Sequence, residues 1–380
     1  MRGNMTQTTI KKKKIVLISN ELWNIVNFRK GIIDALITSN YQVHVITRLQ
    51  NDHKIQLNNE VFYYNIDIDR RGINLIKEIN LFINLYKIIK KIDPHILLNY
   101  TIKPVIYASL VARYLNIKNI NTITGLGRVF IVKKLFILKF LIIILYKSAL
   151  KKSLINFFQN NDDLNYFIKK KITNRSNSAL TNGSGINLDK FNYYFPIFKS
   201  KITFLTISRL TAEKGIYDLI EAIRLINKKN LNIEFVIIGG LEKNSQGGIT
   251  LAKIKEWEKE RLIIYRGFVD NVKDIIVECD ALILPSHREG LSRSIQESMS
   301  VGRPVIGSNC TGNKDIIKTG YNGYLFKIKN SRDLSDKILK FCNLSKDDRI
   351  KFSQNARETA KRLFDENKII NEYLKVIDNQ

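Results

Sequence analysis

The sequence predicts an α/β protein built from two doubly wound, Rossmann-like domains whose parallel sheets face a central cleft. Three observations carry this. Short apolar runs alternate with longer helical patterns of about 10–15 residues, which is the mark of βαβ units. The alternation fills the first half, breaks near residues 187–200 and then restarts. The chain has 380 residues, more than one ordinary domain, and 44% are hydrophobic, enough to fill two cores.

The first strand is KIVLIS (14–19). A run of lysines precedes it, but Asn20 and Glu21 cut the apolar stretch short of the roughly 7–15 residues a signal peptide needs. A helix follows in NFRKGIIDALITSN (27–40), then a strand in QVHVIT (42–47). INLIKEINLFINLYKIIKKI (73–92) has helical spacing and ends before Asp93 and Pro94. HILLNY (95–100), KPVIYASLVARYLN (103–116) and NINTIT (119–124) give strand, helix and strand. Residues 129–146, VFIVKKLFILKFLIIILY, are apolar but hold three lysines, too charged for a span of about 20 apolar residues. They fit an amphipathic helix lying on a membrane, and equally a core helix whose lysines reach solvent.

The second half supplies strands at KITFLTIS (201–208), IEFVIIGG (233–240), IIYRGFV (263–269), ALILPS (281–286), PVIGSN (304–309) and GYLFKI (323–328). GIYDLIEAIRLINKK (215–229) is a helix, and the tail is helical. The expected division is one Rossmann-like domain over 1–190, a linker over 191–200 and a second over 201–355. A C-terminal helical segment, 356–380, is expected to pack back on the first domain.

The formal charge is +27, which suits a polyanionic partner such as a membrane surface, a phosphorylated substrate or nucleic acid. The abundance of Ile, Lys and Asn also fits an AT-rich genome, which would raise the lysine count by itself. Cys279, Cys310 and Cys342 form no CxxC pair, and His44, His53, His95 and His287 show no HxH or HExxH spacing. Neither a disulfide framework nor a zinc site is expected.

Polar clusters lie just after strands, where ligands bind in doubly wound sheets. Arg209 follows one strand and Lys214 comes five residues later in RLTAEKG. A guanidinium fork and a compact ammonium above a strand end suit a diphosphate, and a helix starting near Gly215 adds positive potential. After ALILP, SHREGLSRSIQES places Glu289 on the next loop and Glu297 about two turns into a helix begun over residues 291–294. Two such carboxylates can accept from hydroxyls at two places on one long ligand. Amides of Gly290, Leu291 and Ser292 can hold a phosphate between them. Taken alone, the same residues also fit a solvent-facing Glu297 and a capping Glu289.

The E-x7-E spacing of EGLSRSIQE resembles the signature of the retaining, nucleotide-sugar-dependent glycosyltransferases of family 4, which have the GT-B fold. ISRLTAEKGIYDLIEAI, GFVDNV, PSHREGLSRSIQESMSVGRPVIGSNCTG and GYNGYLF look like that family's donor domain. NFRKGIIDAL, TIKPVIYASLVAR, TITGLGRVF, FFQNNDD and NGSGINLDKF resemble the branch that extends lipid-linked oligosaccharides in bacterial surface-polysaccharide pathways. The resemblance implies transfer of a hexose or N-acetylhexosamine from a UDP-linked donor to a polyprenyl-diphosphate-linked acceptor. It assigns acceptor binding to the first domain and nucleotide-sugar donor binding to the second. It places the protein in the cytoplasm, peripheral on the inner face of the cell membrane, against an anionic surface and with no nucleic-acid partner. Arg209 and Lys214 would neutralise the donor diphosphate, Glu289 would bind the transferred sugar, Glu297 the ribose, and Phe268 and Val269 would meet the base. Asn27, Arg29, Lys103, Thr124, Gly125 and Gly127 would lie on the acceptor side. No metal or cofactor is implied, because cationic side chains and helix amides stand in for one. No Asp-x-Asp pair follows a strand among the donor motifs, and DID at 67–69 lies far from them. Unlike many relatives, the chain has no glycine between its first strand and Gly31, and Thr124 stands near where some carry a histidine. No side chain stands out as a base. In the mechanism the family implies, the leaving phosphate takes the acceptor's proton. Two other readings remain at this stage: a nucleotide-sugar 2-epimerase of the same architecture, and a basic nucleic-acid-binding or scaffold protein.

Overall fold

In the computed structural model, residues 12–49, 58–69, 72, 74–127, 130, 136–228, 231–242 and 247–380 are described. Residues 73 and 229, at the ends of two expected helices, fall outside them. So do Lys133, Lys134 and most of the start of the 129–146 stretch.

The first unit contains strands β1 (Lys14–Glu21), β2 (Gln42–Arg48), β3 (Phe62–Asn65), β4 (Ile96–Tyr100), β5 (Lys118–Ile123), β6 (Ile155–Phe158) and β7 (Ser178–Leu180). Its helices are α1 (Leu22–Phe28), α2 (Lys30–Thr38), α3 (Leu75–Ile92), α4 (Ile102–Leu115), α5 (Phe136–Leu150) and, from Leu164 on, α6 (Asn161–Lys169). The seven strands form one parallel sheet in the order β3-β2-β1-β4-β5-β6-β7. Ile15, Val16, Leu17 and Ile18 of β1 are all fully buried, as a central parallel strand covered on both faces requires. α4 packs between α3 and α5, and Val16, Ile18, Leu85, Ile89, Val111 and Ala112 share one core.

The second unit contains β8 (Ile202–Ile207), β9 (Ile233–Ile238), β10 (Ile264–Tyr265), β11 (Ala281–Leu284), β12 (Val305–Ser308) and β13 (Gly323–Phe326). Its helices are α7 (Ile216–Asn227), α8 (Leu251–Lys259), α9 (Val272–Glu278), α10 (Arg293–Ser300), α11 (Ser331–Cys342), α12 (Lys346–Leu363) and the start of α13 (Glu366–Asp378). Its sheet is also parallel, in the order β10-β9-β8-β11-β12-β13. Apolar clusters cover both faces, one around Phe204, Trp257 and Phe341, the other around Leu205, Leu282 and Ile295. Each of these side chains contributes about 1.5–3 kcal/mol by burial.

Several expected boundaries move. The helix expected over 27–40 is two helices, because Arg29 leaves helical geometry at φ −128° and ψ 4°. The strand expected over 263–269 closes at Tyr265, and Gly267 turns at φ +71°. The chain divides into a first unit that ends at Phe158 and resumes over Leu164–Leu180 and Ile370–Gln380, and a second made of Gln159–Asp163 and Thr181–Ile369. Residues 181–190 thus join the second unit, and position 355/356 lies inside the continuous helix α12. Tyr373 of α13 bonds to Thr122 Oγ1 at 2.5 Å within the first unit.

Candidate active site

In both sheets the strand order reverses between two central neighbours, β1 and β4 in the first, β8 and β11 in the second. Loops leaving the carboxyl ends of such neighbours diverge and open a crevice. In the second unit the loop after β8 carries Arg209 and Lys214, and the loop after β11 carries Glu289.

A glycine lets these loops close on each other. Gly215 caps α7 in the left-handed region at φ +70°, and a Cβ there would strike the carbonyl of Pro285. The close approach brings Lys214 Nζ to 2.6 Å from Glu289 Oε1, with the two side chains only 18% and 11% exposed. The pair joins the cation expected at the diphosphate to the carboxylate expected at the sugar. Arg209 is elsewhere: exposed above β8, it is ion-paired with Glu242, a residue after β9 that sequence reasoning missed.

α10 begins at Arg293 with Ser292 as its N-cap, so Glu297 is the fifth helical residue, just over one turn in rather than two. The i,i+4 spacing puts Glu297 Oε1 2.9 Å from Arg293 Nε. Burial pushes the Glu297 carboxyl up, and Arg293 opposes the shift. Arg293 also donates to Ser184 Oγ at 2.9 Å and to the Gly185 carbonyl at 2.5 Å, tying the NGSG turn to this helix. Leu291 is part of the surrounding apolar cluster, as is Val269. Phe268 is 59% exposed beyond β10, where the Gly267 carbonyl accepts from Gly239 N at 2.7 Å.

Each residue from 286 to 290 is tied separately. Ser308 Oγ donates to the Ser286 carbonyl. His287 donates its amide to the Glu213 carbonyl at 3.0 Å, and its Nε2 lies 2.7 Å from Asp218. Arg288 pairs with Asp163. Glu289 donates its amide to the Thr311 carbonyl at 3.1 Å, and the Gly290 carbonyl accepts from Asn160 Nδ2 at 3.0 Å. His287, Asp218, Asn160 and Asp163 were not singled out as site residues. The NNDD run after Phe158 was the one available signal for the last two.

In the first unit, Asn27 donates to the Trp23 carbonyl along α1. Arg29 is buried, with its guanidinium carbon 4.0 Å from the centre of the Tyr100 ring. Lys103 pairs with Glu78 and donates to the Gly72 carbonyl at 2.8 Å. Arg29 and Lys103 therefore meet different partners. Thr124 is half-buried, and Gly125 and Gly127 have φ of 142° and 71° just past β5. Among the described residues no group of three or more His, Cys, Asp or Glu could hold a metal ion.

Two family profiles match the chain: "Glycosyl transferases group 1" over residues 193–359 and "Glycosyl transferase 4-like" over residues 14–160. The chain belongs to the glycosyltransferases of this family 4-like kind. This glycosyltransferase is 27% identical, over 96% of its length and 98% of the relative's, to the N,N'-diacetylbacillosaminyl-diphospho-undecaprenol alpha-1,3-N-acetylgalactosaminyltransferase of Campylobacter jejuni. It is 25% identical, over 68% of its length and 69% of the relative's, to the UDP-Gal:alpha-D-GlcNAc-diphosphoundecaprenol alpha-1,3-galactosyltransferase of Escherichia coli. Its fold is GT-B. It matches Anabaena Alr3699/HepE in complex with UDP-glucose at TM-score 0.76 and 15% identity, over 97% of this chain and all of that one. A glycosyltransferase from Rickettsia africae gives TM-score 0.76 at 19% identity with the same coverage.

Proposed function

We propose that this glycosyltransferase moves a hexose or N-acetylhexosamine, with retention at the anomeric carbon, from a UDP-linked donor to a polyprenyl-diphosphate-linked glycan. The Lys214–Glu289 pair at the β8/β11 switch point carries the donor part. Lys214 meets the diphosphate and stabilises charge developing on the leaving UDP. Glu289, held beside it, accepts from hydroxyls of the transferred sugar. Arg209 swings from Glu242 to the same phosphates, an exchange of one exposed ion pair for another. Glu297 takes the ribose, and the exposed Phe268 edge with Val269 meets the base. The cations supply the charge that a metal would otherwise bring, so turnover runs without one. The leaving phosphate oxygen accepts the acceptor hydroxyl's proton as the new glycosidic bond forms on the face the UDP leaves. The acceptor part rests on the relatives' undecaprenol-linked substrates and on Asn27, Arg29, Lys103, Thr124, Gly125 and Gly127 near the carboxyl edge of the first sheet.

The placement at an anionic inner membrane face has its own support. On α5, Phe136, Ile137, Phe140, Leu141 and Ile144 are exposed at i, i+1, i+4, i+5 and i+8, one helical face. On α3, Leu75, Ile76, Ile79 and Ile83 repeat the pattern, with Leu75 72% exposed. Across α3, α4 and α5 the cations are Lys77, Lys87, Lys90, Lys91, Lys103, Arg113, Lys139 and Lys147; the one carboxylate, Glu78, is paired with Lys103. Each lysine near an anionic leaflet contributes about 1 kcal/mol. Among the described residues no helix is long and apolar enough to cross a membrane.

A donor panel of UDP-, GDP- and ADP-sugars, read by transfer to a synthetic polyprenyl-diphosphate glycan, tests the chemistry. Transfer from UDP-sugars with the anomeric configuration kept is the expected result; a product of inverted configuration or a preference for another nucleotide would overturn it.

A further inference from the structure

The first turn of α6 does more than start a helix. Asn160 is its N-cap: Oδ1 accepts from Asp163 N at 2.8 Å, and Nδ2 donates to Asp163 Oδ2 at 3.0 Å. The same Nδ2 reaches the Gly290 carbonyl at 3.0 Å. Asp163, fully buried, holds Arg288 through its other oxygen. Asp162 accepts from Thr311 Oγ1 at 2.7 Å and from Lys314 at 2.9 Å. The Thr311 carbonyl in turn takes the amide of Glu289. Gly312, at φ +87°, lies so close that a Cβ would meet the carbonyls of Glu289 and Gly290. Residues 160–163 thus grip Glu289 from both sides, through Arg288 and Gly290 on one and through Thr311 on the other.

We infer that Asn160, Asp162 and Asp163 are positioning residues that set the Glu289–Gly290 loop for the donor sugar. None of them touches the donor. They act through Arg288, Gly290 and Thr311, fixing where the Glu289 carboxylate stands relative to Lys214. A carboxylate that must meet hydroxyls on a reacting ring tolerates little displacement, since a shift of about 1 Å costs about a hundredfold in rate. The inference rests on Glu289 as the sugar-binding carboxylate.

The test uses the full chain with Asn160→Ser, which keeps an oxygen to cap α6 but loses the amide that reaches Gly290, and with Asp163→Asn, which keeps the shape but loses the charge facing Arg288. UDP, UDP-galactose and UDP-N-acetylgalactosamine serve as titrants, and donor hydrolysis gives turnover. Both variants should lose about tenfold in turnover and in the affinity gained from the sugar, with the UDP Kd within about twofold of wild type. Hydrogen exchange over residues 287–291 should quicken, because the Gly290 carbonyl loses its Asn160 donor in one variant and Arg288 loses its charged partner in the other. Equal losses for UDP and UDP-sugars, or unchanged sugar affinity and exchange, would overturn the inference. A wild-type protein that binds UDP but gains nothing from either sugar would instead sink the assignment of Glu289, and the inference with it.

Discussion

Replacing Glu289 by glutamine removes one charge and keeps the side chain's volume. In the free protein it leaves Lys214 with a neutral acceptor at 2.6 Å. Both groups are mostly but not fully buried, so the stability cost sits between that of an exposed and a buried pair, about 1–2 kcal/mol. Against the roughly 5–15 kcal/mol that holds a domain together, nearly all the protein stays folded. The catalytic cost is larger. Losing preorganised charge at a reacting centre lowers turnover about 10²–10³-fold, or about 2.7–4 kcal/mol. The two effects separate in one experiment. A thermal scan with and without UDP should show a modest drop in Tm and retained UDP stabilisation, while initial rates of sugar transfer fall at least a hundredfold. Adding Lys214→Ala to Glu289→Gln should cost less than the two single losses combined, because each removes the other's partner. A Glu289→Gln protein that turns over within fivefold of wild type would show that the carboxylate does not face the reacting sugar.

The remaining predictions draw on other parts of the chain. Arg209→Ala should raise the donor KM and lower kcat together, while Glu242→Gln, which frees Arg209 from its ion pair, should leave kcat within about threefold; initial-rate kinetics over donor concentration check both. Incubation with EDTA should leave transfer rates unchanged, and a loss restored by magnesium or manganese would refute the metal-free mechanism. Ile137→Glu with Phe140→Glu should abolish flotation with anionic liposomes at low salt, and unaltered flotation would remove the α5 face from membrane binding. Burial, helped by Lys14, holds His44 down at about 4. The unfolded chain then takes up a proton near pH 6.5 that the folded one refuses, so stability falls as the pH drops from about 6.5 to about 4. After allowance for solvent screening the loss is about 2 kcal/mol, and His44→Gln should flatten urea-unfolding midpoints across that window.

The sequence made the sheet architecture legible because central parallel strands are apolar throughout. KIVLIS and ALILP could hardly be anything else once buried on both faces. The placement of Lys214 and Glu289 on loops just after such strands was legible too. Their direct pairing was not, because it depends on Gly215 letting one loop press on Pro285. Glu242 was hidden for a related reason: it follows β9, and only the sheet order puts β9 beside β8. The compact units divide at other residues than the expected 190/191 and 355/356, because long-range docking, not composition, decides which unit a segment joins. Gln159–Asp163 is five residues from a polar run that by itself looks like an ordinary helix start.

One strand that sequence reading passed over has a clear cause. β6 reads INFF, with Asn156 inside a four-residue strand, and a buried asparagine breaks the apolar signature. In the sheet, Asn99, Asn121 and Asn156 are register partners across β4, β5 and β6. Asn99 donates to Asn121 at 3.0 Å, and Asn121 donates to Asn156 at 3.0 Å and to Ser153 Oγ at 2.7 Å. Ser109 of α4 donates to Asn121 at 2.8 Å and accepts from Asn119 at 2.9 Å. Three buried amides in one row pair with one another only at this register. A slip by one residue would turn each of them to the opposite face and leave polar groups unpaired, at about 1–3 kcal/mol apiece. The interruption that hides β6 from a hydrophobicity reading is therefore the feature that holds it in place. It also fixes the carboxyl ends of β4 and β5, from which Lys103 and Thr124, proposed above for the acceptor, follow on.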